Sequence, residues 1–196
     1  MSAIKHNTTK VSIRLMSGGH SFSPIAIDDK AKEGSVLIAE VITHKTTLVP
    51  EVMFDRSRLD EYLAFVGLAP AEDEIAVYSP VVDDQVAVMT ISSECYEKLI
   101  LTFGGNITFS SPLIQGHAPK QGALIDLVDD VLYIRIFNGG MLFGEAMYVA
   151  NDADVLFVLE QVNKVYNIYN MHVRARGDKE RLAKLTKYLF TNIECE

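Results

Sequence analysis

The stretch Gly122–Glu196, GALIDLVDDVLYIRIFNGGMLFGEAMYVANDADVLFVLEQVNKVYNIYNMHVRARGDKERLAKLTKYLFTNIECE, carries a strand–helix order from which an architecture follows. Ala123 to Val128 and Val131 to Phe137 read as strands around an Asp129-Asp130 turn. Asn138-Gly139 predicts a tight hairpin, because a type I′ turn needs positive φ at both central positions. Met141 to Val149 then completes a three-strand meander. Asn151 or Asp152 fits the N-cap of a helix running to about Tyr166, with Val155, Leu156, Leu159, Val162 and Tyr166 on one face. Phe157 and Val158 make that helix apolar nearly all round, which predicts burial between two layers. Ile168 to Val173 reads as a strand, Asp178 caps a second helix with Leu182, Leu185 and Leu189 inward, and Asn192 to Cys195 closes the unit.

Working outward, the first half offers a looser version of the same order. Val11, Ile13 and Leu15 alternate with polar partners at the spacing of a half-buried strand. Ser17-Gly18-Gly19 reads as a turn, and His20 to Ile27 as a returning strand. Ser35 to Val49 is long enough for one bent strand or two. Asp55 fits an N-cap before Leu59, Tyr62, Leu63 and Val66, and Gly67 sits where a left-handed C-terminal residue belongs. Glu74 to Ser79 and Gln85 to Ile91 read as strands joined through Pro80 and Asp83-Asp84. Ser92 or Ser93 opens a further helix that Gly104-Gly105 stops, and Asn106 to Phe109 is a short strand. Two prolines and a glycine in SPLIQGHAPKQ place the boundary between halves there. The expected division is a tail at 1–10, a first unit at 11–121 and a second at 122–196.

The 196 residues are 48% hydrophobic and 22% charged, the composition of a globular chain with a sizeable core. No run approaches the ~20 apolar residues that cross a membrane, and the polar start Met1 to Lys10 has no secretory pattern, so the expected location is cytoplasmic. Two cysteines are too few for a disulfide framework. A formal net charge of −8 opposes wholesale nucleic-acid binding. One local exception is the basic stretch of Arg174, Arg176, Lys179 and Arg181, continuing to Lys184 and Lys187. It reads either as a solvated helix face or as a patch for an anion, a partner or a nucleic acid.

A strand–strand–strand–helix–strand–helix–strand unit used twice resembles the ribonuclease-H-like module of the actin-like ATPase fold, an α/β fold with mixed sheets. VSIRLMSGGHSFS from Val11, TTLVPEVMFDRSRLDEYLAFVG from Thr46, GGMLFGEAMYVANDADVLFVL and KLTKYLFTNIE are similar to an uncharacterised bacterial family of that fold, a domain of unknown function. The resemblance spans most of the chain and rests on apolar and turn residues, so it implies fold far more than activity. Nucleotide-binding members of the wider fold hold Mg-nucleotide between two hairpins, each with an Asp near a strand end and a glycine turn over the phosphates. Here Arg14 stands at the first acidic position, although Gly18 and Gly19 remain. Asp126 stands at the second, but Val128-Asp129-Asp130 replaces the glycine turn, and its carboxylates would repel phosphate.

Two function classes follow. The first is a pseudo-ATPase that has lost nucleotide binding and serves as a non-catalytic scaffold or adaptor, with a protein partner or homodimer and no cofactor. The second is a degenerate nucleotide-dependent ATPase or phosphotransferase using Asp126. Asp126, Asp129 and Asp130 could also form a divalent-ion site, set against a solvated hairpin with Asp126 on its exposed face. The five histidines include no i, i+4 pair, and no GxSxG elbow is present, so zinc-hydrolase and serine-hydrolase chemistry are unsupported.

Overall fold

A computed structural model describes residues 10–16, 36–187 and 189–195. The second half forms the unit read from its sequence. Strands β7 (Gln121–Val128), β8 (Val131–Asn138) and β9 (Met141–Tyr148) make an antiparallel meander. Helix α3 (Asp152–Tyr166), strand β10 (His172–Gly177), helix α4 (Lys179–Thr186) and strand β11 (Asn192–Cys195) follow. β10 lies parallel to β7 and β11 parallel to β10, which gives a five-stranded sheet in the order β11-β10-β7-β8-β9.

The caps are those the sequence offers. Asn151 Oδ1 accepts from the amides of Ala153 and Asp154 at 2.8 and 3.1 Å, and Asp178 Oδ1 accepts from Arg181 N at 3.0 Å. Three local readings change. Helix α3 is not buried between two layers, since Phe157 stands 64% exposed and only Val155, Leu159 and Val162 on one face are buried. Residues Ile168–Asn170 form a 3-10 turn, because Asn167 adopts a left-handed conformation at the end of α3, and the strand starts only at His172. The Asn138-Gly139 hairpin is not a type I′ turn. Only Gly139 has positive φ, and a register shift at Ile136/Phe137 leaves a three-residue loop between Phe137 and Met141. A two-residue turn with both φ positive forms instead at Asp83-Asp84, where Val82 and Gln85 exchange backbone hydrogen bonds of 2.9 and 3.0 Å.

In the first half, β1 (Lys10–Met16), β2 (Val36–Ile42) and β6 (Ile107–Ser110) make a three-stranded parallel sheet. The returning strand expected at His20–Ile27 lies outside the described residues, as does the Ser17-Gly18-Gly19 turn. The run from Ser35 to Val49 resolves into two strands in different sheets, with a corner at Thr43, His44 and Lys45. Its second part, β3 (Thr46–Pro50), joins β4 (Glu74–Tyr78) and β5 (Gln85–Ser92) in an antiparallel sheet ordered β3-β5-β4. Helix α1 (Leu59–Phe65) packs Leu63 against Val49, Val86 and Val88 on one face of that sheet. The other face, with Ala87, Met89 and Ile91, shares a core with β1, β2 and helix α2 (Ser93–Phe103).

The two halves echo each other at their centres. β1-β2-β6 in the first and β7-β10-β11 in the second are parallel trios, and α2 leads into β6 as α4 leads into β11. Ala123, Ile125 and Leu127 with Leu132, Ile134 and Ile136 form the sheet face that packs on α3 and α4. The opposite face meets the first half. There Val128, Val131, Tyr133 and Ala146 share a small core with Ile42 and Leu113.

Candidate functional site

On β7 the alternation that points Ile125 and Leu127 at the helices turns Asp126 to the other face. That face is not solvent. Asp126 is only 6% exposed, because the first half covers it. The expectation of an exposed strand position is corrected, since β7 is buried on both faces. Its partner is Arg176, the residue in direct register with it on β10, whose Nη2 donates to Asp126 Oδ2 and, at 3.3 Å, to the Gln115 carbonyl.

The first half supplies the counterpart. Arg14 on β1 is in register with Glu40 on β2, and Arg14 Nε donates to Glu40 Oε2 at 2.6 Å. Glu40 is buried. Each half thus presents an arginine–carboxylate pair across two adjacent parallel strands, with the acid on the first strand in one half and on the second in the other. Both pairs border one small space of about 100 Å³, shared with Pro112, Gln115, Val128 and Gly177.

Connector and core close in around this space. Arg135 on β8, itself buried, donates from Nη2 to the same Gln115 carbonyl. Burial lowers its pKa to about 10, the Asp126 carboxylate pulling it back up and the Arg176 cation down. Gly116 has φ +79, which favours glycine, and a Cβ there would lie 2.5 Å from Arg176 Nη1 and push the guanidinium aside. Beside the ion pairs, the Tyr133 hydroxyl accepts from Thr43 N at 2.9 Å and donates to Thr43 O at 3.2 Å, tying β8 to the corner after β2. Burial pushes that phenol's pKa up, the Thr43 amide opposing it.

The remaining residues singled out in the sequence lie elsewhere or are engaged. Asp129 and Asp130 are exposed at the β7–β8 turn, away from the buried Asp126. Among the described residues, no three His, Cys, Asp or Glu side chains gather as a metal cluster. Gly18 and Gly19 lie outside the described residues. Arg181 donates to Asp152 Oδ1 at 2.5 Å and to the Asp129 carbonyl at 3.0 Å, so it clasps the hairpin tip to the start of α3. Arg174 Nη2 donates to the His117 carbonyl. Lys179 opens α4, and its side chain is outside the description.

Glu40, Gln115, Tyr133 and Arg135 were not singled out from sequence. A charged residue between apolar neighbours on a strand reads as surface unless the sheet is known to be covered on both faces. Arg135 within VLYIRIF carried the one usable signal, a lone cation in an otherwise apolar strand.

No protein-family model matches the chain, and no curated protein does. A solved Bacteroides thetaiotaomicron protein, described as having an actin-like ATPase fold and unknown function, is similar with TM-score 0.67 and 18% identity, over 82% of this chain and 68% of that one. The fold is that of the actin-like ATPases. The cytoplasmic domain of EpsL, an inner-membrane component of the type II secretion system of Vibrio cholerae, matches over 95% of this chain and 85% of that one. Its TM-score of 0.47 and 11% identity carry no argument. Within the actin-like fold, identity this low speaks to architecture alone. Among the described residues, no helix is long and apolar enough to cross a membrane.

Proposed function

We propose that this chain is a non-catalytic scaffold or adaptor of actin-like fold, acting in the cytoplasm on a protein partner or as a homodimer. The observation that carries the reading is the space between the two ion pairs. At about 100 Å³ it falls well below the roughly 300–1,000 Å³ of small-molecule sites. The groups around it already satisfy one another, so a triphosphate would have to displace Arg176 from Asp126 and meet two buried carboxylates. The Asp126–Arg176 pair resists opening, because the buried Asp126 left behind would be an uncompensated ion. A contact surface is available at β9, the edge of the five-stranded sheet, where Leu142 and Tyr148 stand exposed. Edge strands of this kind accept an added strand from a partner.

A thermal-shift series with Mg-ATP and Mg-GTP tests the loss of nucleotide binding, since a ligand that binds only the folded state must raise the apparent melting temperature. No saturable shift is expected. A shift that saturates with Mg-ATP and disappears in Asp126→Asn would replace this reading with the ATPase or phosphotransferase alternative.

A further inference from the structure

A second space, separate from the charged cleft, has the dimensions of a ligand site. It is a cavity of about 440 Å³ between β3, the β4–β5 hairpin, the turn at Pro112–Ile114 and the β8–β9 loop. Leu48, Val82, Leu113, Ile114, Phe137 and Met141 make its walls apolar. Sites for organic ligands have this character, mostly apolar with a few polar groups that fix orientation.

The polar groups here are unequal. Arg135 lines the cavity and is 4% exposed. A guanidinium carries five donors, and among the described residues Arg135 makes one hydrogen bond, to the Gln115 carbonyl, with no carboxylate at ion-pair distance. Asp126 and Asp83 attract Arg135 only from beyond contact, and Asp126 is already bound by Arg176, so an anion reaching the remaining guanidinium donors directly would be favoured. Lys120 adds a second cation at the exposed rim. Asp83, the only acid among the lining residues, sits exposed at the hairpin tip.

We infer that this cavity binds an amphipathic organic monoanion, its carboxylate on Arg135 and Lys120 and its hydrocarbon body against the apolar walls. A neutral apolar molecule would leave Arg135 as it is, and a cation would be repelled by it. Leu48 and Val82 come from the first half and Phe137 and Met141 from the second, so the occupant would also bridge the halves. The inference does not require the charged cleft to be closed, and it stands apart from the scaffold reading.

Titration calorimetry on the full chain with octanoate, 1-octanol and acetate separates the contributions of charge and tail. Octanoate is expected to bind one to one and about tenfold tighter than 1-octanol, the scale of one charge-assisted hydrogen bond, with acetate weaker than both. Lys120→Glu changes an exposed rim residue and should weaken octanoate about tenfold while leaving 1-octanol nearly unchanged. Ala118→Trp, which fills the cavity while leaving Arg135 in place, should abolish both. Octanoate binding no tighter than 1-octanol, binding indifferent to both substitutions, or no octanoate binding at all overturns the inference.

Discussion

Asp126 answers to two cations. Arg176 pairs with it directly, and Arg135, whose register partner Leu124 lies two residues along β7, is drawn to it at longer range. Asp126→Asn therefore removes the counter-charge of both arginines. Arg176→Gln leaves Asp126 with Arg135 still nearby and relieves a repulsion that Arg135 feels. Asp126→Asn is expected to cost about 3 kcal/mol, at the lower end for a broken buried pair because Arg176 keeps some solvent contact. Arg176→Gln should cost less. Urea unfolding of the two variants checks the order, and equal or reversed costs would refute the shared counter-charge. Tyr133→Phe, which leaves the Thr43 amide without its partner while the Thr43 carbonyl keeps Thr46 Oγ1, should cost about 1–2 kcal/mol in the same assay. At this scale the sequence singled out Asp126 and hid its surroundings. Asp126 between Ile125 and Leu127 looks solvent-facing because period-two alternation distinguishes faces but cannot say what covers each one.

Elements of the second half were legible because each carried its own punctuation: Asn151 and Asp178 as caps, Asp129-Asp130 at a turn. The first half hid its organisation in pairing. Nothing in the local pattern of Ser35 to Val49 tells that β2 joins β1 in parallel while β3 crosses to another sheet, since parallel partners are distant in sequence. Gly177 shows how tightly one parallel pair is built. It closes β10 at φ +88, and a Cβ there would fall 2.0 Å from the Leu127 carbonyl, which also accepts from Asp178 N at 2.7 Å. Gly177→Ala should cost well over about 1 kcal/mol, since both the backbone conformation and the space forbid the methyl. A drop in chemical-denaturation midpoint with faster amide exchange in α4 is the expected signature. A neutral effect would mean that β10 and β7 are not this close.

For the whole molecule, two buried groups and the half-buried Tyr169 set a common response to alkali. Burial pushes the Cys95 thiol up to about 12, burial with Glu160 pushes Tyr169 to about 12, and burial raises Tyr133 as well. The folded chain holds these protons above the ordinary values of 9.0 and 10.0 at which the unfolded chain releases them. Their contribution is therefore complete below about pH 9 and declines as pH rises beyond it. Arg135, lowered from 12.5 to about 10, acts in the opposite sense and only at the upper end of that range. Urea midpoints should fall from about pH 9 to 11, and Cys95→Ala should remove the earliest part of the fall.

The molecule has two halves built on parallel trios, and the second is the part that sequence and structure share most fully. What the sequence could not show is that their junction is occupied by the chain's own charges: Arg14 with Glu40, Asp126 with Arg176, and Tyr133 on Thr43. A junction held in this way should not depend on nucleotide. The direct measurement is a spin-label distance between Glu97→Cys on α2 and Gln161→Cys on α3, both exposed, in a background with Cys95 and Cys195 replaced by serine. One narrow distance, unchanged by saturating Mg-ATP and broadened by Arg176→Gln, is the predicted result. A distribution that Mg-ATP shifts or sharpens would contradict it.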